Sequence, residues 1–117
     1  MPHNICTYAT LAAIVLAVPA QADVVTSQSD FIRLVSGKTL TRPLIRIEVR
    51  ADGRITGTGA AWEVTGTWNW QGNYFCRDLY WGGDPLGYNC QEVRFEGGRI
   101  RFTSDKGRGD TAAFRLN

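Results

Sequence analysis

The chain has one histidine, one methionine, four prolines and three cysteines in 117 residues, and each shortage excludes something. The histidine is His3. It precedes an apolar run, Leu11 to Val18, that ends in Pro19-Ala20-Gln21-Ala22, with charged residues beginning at Asp23. A short apolar stretch closed by small residues in an A-x-A pattern is the layout of a cleaved secretory signal peptide, so residues 1–22 are expected to be removed. Removal takes His3 and Cys6 with it. Without imidazole, residues 23–117 cannot run Ser-His-Asp or Cys-His catalysis or bind zinc through histidine. No second apolar run approaches the roughly 20 residues that cross a bilayer, so no integral membrane segment is expected after cleavage. Charge of one sign is scarce as well: 13 basic and 11 acidic side chains give a net +2, too little for a nucleic-acid footprint. Arg46, Arg50, Arg94, Arg99 and Arg101 are spread along strands as solvated faces, and Arg108-Gly109-Asp110 reads as a turn.

The cysteines that remain, Cys76 and Cys90, are an even pair. In an oxidising compartment they read as one structural disulfide, which places the protein in the periplasm or outside the cell. Closing that loop contributes about 3 kcal/mol in the chain-entropy picture. A redox role would favour C-x-x-C spacing, which is absent, and two thiols do not complete a tetrahedral metal site. The acids show no calcium-loop spacing. Gly57-Thr58-Gly59 starts like a nucleotide-binding loop, but Trp62 stands where the third glycine is needed. No metal and no cofactor is expected.

What is present is a set of short alternating runs between turn residues. Ser27 can cap a helix, with Asp30 at the capping-box position and Gly37 at its end, and Phe31, Leu34 and Val35 share one face. From Ile45 to Arg50, apolar and charged residues alternate, and Ala51-Asp52-Gly53 supplies a turn. Val93 and Phe95, Ile100 and Phe102, and Phe114 and Leu116 repeat the alternation, with Gly97-Gly98 reversing the chain. This predicts one mainly β domain, an antiparallel meander forming a small barrel or sandwich, with one short N-terminal helix and one disulfide.

Eight of the twelve aromatic residues after Ala22 lie between Trp62 and Tyr88. Trp62, Val64, Gly66, Trp68 and Trp70 fall on one parity of a strand. Gln71-Gly72-Asn73 turns the chain into a return strand from Tyr74 to Trp81, and Gly82 to Asn89 reads as a loop by composition. Trp62 and Trp68 are expected in the core. Trp70, Tyr80, Trp81 and Tyr88 flank turns and are expected to be exposed. With Arg77, Asp78 and Asp84 they form the candidate ligand-binding set, the rings as anchors and the charges giving orientation. The competing reading is a solvent-facing ion pair of Arg77 with Asp78 or Asp84.

The pattern Gly37-Lys38-Thr39-Leu40, Asp52-Gly53, Gly66-Thr67-Trp68 and Tyr74-Phe75-Cys76-Arg77, with the later Cys90, is similar to small secreted proteins of alphaproteobacteria that have no established function. The likeness spans nearly all of residues 23–117 through short motifs of structural character. Some of those proteins carry the label dihydrodipicolinate reductase. That reductase family has a Rossmann domain and a catalytic histidine motif, and residues 23–117 match neither. The expectation is an exported, non-catalytic binding module for a small molecule or an envelope protein, inhibitors of wall enzymes included. Two other classes stay open: a carboxylate-dependent periplasmic enzyme using Asp78 or Asp84, and a structural envelope protein whose aromatic groups are wholly buried.

Overall fold

The computed structural model describes residues 23–117, and the expected signal peptide with its cleavage point lies outside them. Strand β1 (Asp23–Val25) leads into helix α1 (Gln28–Val35). Eight strands follow: β2 (Leu40–Arg42), β3 (Ile45–Val49), β4 (Arg54–Gly59), β5 (Trp62–Gln71), β6 (Tyr74–Trp81), β7 (Asp84–Glu96), β8 (Arg99–Thr103) and β9 (Thr111–Leu116). A short turn, α2 (Ser104–Gly107), precedes β9. From β2 onward each strand pairs antiparallel with the next, and β9 returns to β2. The meander therefore closes into an eight-stranded barrel rather than a sandwich. β1 lies outside the ring, on the half of β7 that β6 does not reach: Val25 pairs with Val93, whereas Phe75 of β6 pairs with Gln91.

The local signals act as the alternation predicts. The Ser27 hydroxyl accepts a hydrogen bond from the Asp30 backbone N–H at 3.2 Å, satisfying one of the free donors at the start of α1. Gly37, at φ +70°, turns the chain after α1 toward β2. Phe31 and Val35 form the buried face of the helix. Phe31 is fully buried, and its ring centroid lies 5.2 Å from Trp68, 5.2 Å from Trp70, 5.0 Å from Phe75 and 6.3 Å from Phe102. The helix thus lays a ring against an aromatic layer inside the barrel. Trp68 is buried with its indole N–H donating to the Arg50 carbonyl at 2.7 Å, which gives its single polar atom a partner and fastens the β3–β4 turn.

Four expectations are corrected. The segment from Gly82 to Asn89 is not a loop: Gly82-Gly83 alone make the turn, with φ +56° and +87°, and β7 begins at Asp84. Two adjacent positive-φ residues match the twist of the flanking strands, so polar and glycine-rich composition here belongs to a hairpin. The register slips so that Leu79 faces Gly87 and Tyr80 faces Pro85, leaving Leu86 as a bulge. Trp62 is not core; it is 57% exposed at the first position of β5, beside the Gly82 turn. Its parity points inward, but it sits at the end of a strand where no wall remains to cover it. Trp70 and Trp81, expected at the surface, are half-buried. Trp70 packs on Phe31, and Trp81 lies over Gly59, where any Cβ would run into its ring. Finally, Arg77 forms no ion pair with Asp78 or Asp84, for a reason set by strand parity.

Candidate functional site

On β6, Phe75, Arg77 and Leu79 share one parity, and Cys76, Asp78 and Tyr80 the other. The first set faces the barrel interior, because Arg77 stands opposite Trp68 and Phe75 opposite Trp70 on the inward face of β5. Asp78, one residue along, must then point outward. Parity separates the two charges that proximity in sequence joins.

Beyond the aromatic layer the barrel opens into a pocket. A cavity of about 210 Å³ is lined by Ile47 and Val49 of β3, Ile55 of β4, Phe75, Arg77 and Leu79 of β6, Gln91 of β7, Phe102 of β8, and Ala112 and Phe114 of β9. Ser104, Asp110 and Thr111, around the α2 turn, complete it. No residue of α1 lines it. Phe75 and Phe102, which touch Phe31, are thus its floor. The volume exceeds the roughly 150 Å³ that holds a benzene molecule when the walls are apolar.

The polar groups converge on one side. One Arg77 N–H (Nη1) donates to the Gly87 carbonyl at 2.6 Å. Among the described residues Arg77 belongs to no ion pair. Its guanidinium is held below its ordinary pKa, first by loss of water on burial and against the weaker opposing pull of Asp78. Gln91, the one buried polar side chain among the described residues, donates from Nε2 to the Ser104 hydroxyl at 3.2 Å. The α2 turn is tied to β7 by Asn89, whose side chain donates to Asp105 at 2.8 Å and accepts from the Asp105 backbone N–H at 3.1 Å.

The seven candidate residues fall into separate places. Arg77 lines the cavity, while Trp70 and Trp81 face inward as packing. Asp78, Tyr80 and Tyr88 lie on the outer face of β6 and β7, with Tyr88 directly opposite Asp78. Asp84 is exposed at the head of β7. Tyr80 is 40% and Tyr88 56% exposed, and Leu86 joins them at 52%. The Tyr88 hydroxyl accepts from Gln71 at 3.0 Å. Cys76 and Cys90 are a directly opposed pair joined as a disulfide on the outward parity of β6, with Cys76 fully buried and Cys90 half-buried. Ile47, Val49, Ile55, Gln91, Phe102, Ser104, Asp110 and Thr111 were not singled out as site residues by the sequence. The inward parity of Ile47, Val49 and Phe102 was visible there, but whether an inward face meets packing or a void depends on how the ring closes.

Among the described residues no group of three or more histidine, cysteine, aspartate or glutamate side chains is placed to hold a metal ion. No helix among them is long and apolar enough to cross a membrane. No family model, curated protein or solved structure matches the chain. The fold and site define a small closed antiparallel barrel with a largely apolar pocket that opens to solvent beside Asp110 and Thr111, and one guanidinium on its wall.

Proposed function

We propose that this protein is an exported, non-catalytic binding module that takes a small, largely apolar molecule into its barrel. The observation that carries the reading is the cavity itself: a largely apolar pocket of about 210 Å³ whose polar groups are Arg77, Gln91, Ser104, Asp110 and Thr111. Such chambers, mostly hydrophobic with a small number of placed polar groups, are the usual form of small-molecule sites. Export is supported by the sequence of residues 1–22 and by the Cys76–Cys90 disulfide, a bond that persists in oxidising compartments.

The test is titration of the labelled protein with toluene, followed by methyl NMR. The methyl signals of Ile47, Val49, Ile55 and Ala112 should shift together and saturably, and Ala112→Phe, which fills the chamber, should abolish the effect. Absence of shifts at those methyls near the solubility limit of toluene would overturn the reading.

A second reading, contact with an envelope protein, rests on Tyr80, Leu86 and Tyr88, three large side chains exposed along β6 and β7. Exposed aromatic residues in a cluster are typical anchors of protein interfaces. A photo-crosslinker at position 88 that captures no discrete envelope protein in cells would count against it.

A further inference from the structure

The cavity lining contains a single cation, Arg77, and a single acid, Asp110. These two groups determine what kind of molecule the chamber prefers. Arg77 is half-buried, shares its face of β6 with Phe75 and Leu79, and gives one N–H to the Gly87 carbonyl. A guanidinium carries five N–H donors in a planar fork. The structure records no other hydrogen bond from it and no ion pair with Asp110 or any other acid among the described residues. A cation moved from water into an apolar wall without a counter-charge is costly, and an anion delivered by a ligand offsets that cost. A planar carboxylate matches the fork with two parallel hydrogen bonds.

We infer that the barrel binds a small apolar monocarboxylate, its carboxylate on the Arg77 guanidinium and its hydrocarbon part against Phe75, Phe102 and Phe114. This rests on the cavity being the binding site. The volume holds about one substituted ring or a short chain, by comparison with the roughly 150 Å³ that accommodates benzene. One guanidinium balances one negative charge. A phosphate monoester, carrying close to two at neutral pH, would find no second cation on the lining, and Asp110, exposed at the rim, repels it more strongly than it repels a singly charged group.

The experiment compares 3-phenylpropionate with 3-phenylpropanol, which share ring and chain and differ in the carboxylate. Both are titrated into the disulfide-bonded protein by calorimetry, with the Trp68 indole N–H signal as a local readout, because Trp68 is the cross-strand neighbour of Arg77. The acid should bind at least tenfold more tightly than the alcohol. In Arg77→Met, which keeps the length and apolar body of the side chain, the preference should vanish while the alcohol still binds. Arg77→Lys should retain part of the preference, since an ammonium keeps the charge and loses the fork. Equal binding of acid and alcohol by the parent protein, or a preference that survives in Arg77→Met, would overturn the monocarboxylate while leaving the cavity in place. Failure of both compounds to bind would overturn the cavity reading itself.

Discussion

Replacing Phe31 by alanine removes a fully buried ring that lies within 5.0–6.3 Å of four others. Truncating a buried phenylalanine typically costs about 3–5 kcal/mol, the larger values arising where neighbours cannot collapse into the space. Collapse is restricted here, because Trp68, Trp70, Phe75 and Phe102 are held by three different strands of a closed ring. Edge and tilted aromatic pairs add about 0.5–1.5 kcal/mol each beyond area burial, so the upper half of the range is expected. A domain of this size has a total stability of about 5–15 kcal/mol, so Phe31→Ala should remove roughly a third or more of it. Urea unfolding followed by tryptophan fluorescence and far-UV circular dichroism measures the change. The midpoint should fall with little change in slope, and Ser27→Ala, which removes only the cap, should cost about 1 kcal/mol. If Phe31→Ala cost less than about 1.5 kcal/mol with an unchanged slope, α1 would be an appendage and not a part of the barrel core.

Leu44 sits at φ +66° and is 80% exposed, so Leu44→Asn should raise stability by about 1 kcal/mol by relieving left-handed strain without loss of packing; an unchanged thermal midpoint would contradict this. Gly59→Val sets a side chain against the Trp81 ring and should cost about 1–3 kcal/mol in urea unfolding, with a red shift in fluorescence as that ring is displaced. Reduction of Cys76–Cys90, which closes a segment with a sequence separation of 14, should lower stability by about 3 kcal/mol, read as the gap between urea midpoints with and without reductant. Asp52 accepts from the Arg54 side chain at 2.9 Å and its backbone N–H at 3.0 Å, and these hold its carboxyl below the ordinary range, the side-chain bond most. Its contribution is therefore present above the unfolded-state pKa and lost as pH falls toward the lower folded value. Asp52→Asn should flatten the acid limb of the stability curve, an effect that added salt weakens because the pair is exposed.

The elements that were legible in the sequence are those whose signals are local. The cap at Ser27, the alternation over Ile45–Val49 and Arg99–Thr103, and the single-parity run from Trp62 to Trp70 need only neighbours in the chain. Gly82 to Asn89 misled because glycine, proline and asparagine are shared by loops and by bulged hairpins; the pairing that distinguishes them is made by β6. The misplacement of Arg77 has a different cause. Side by side in sequence, Arg77 and Asp78 look like an ion pair, and only strand parity, applied as strictly to β6 as it was to β5, sends one inward. Trp62 shows the limit of parity, since an inward direction at the lip of a barrel is not burial. The cavity could not be read at all, because its lining is drawn from six strands and the α2 turn.

Closure of the ring has a kinetic side. Every pairing from β2 through β9 joins consecutive strands and can form as soon as the chain permits, but β9 must also find β2 across almost the whole domain. There Thr39 and Asn117 exchange backbone hydrogen bonds at 3.0 and 3.1 Å, and the Asn117 side chain reaches Thr41, 76 residues away. Loop-closure entropy makes such distant pairing slow to form. Until β9 pairs with both, β2 and β8 present unpaired edges of the kind that template aggregation. The folding chain therefore passes through an open, edge-bearing sheet, and that exposure ends only when β9 pairs with β2.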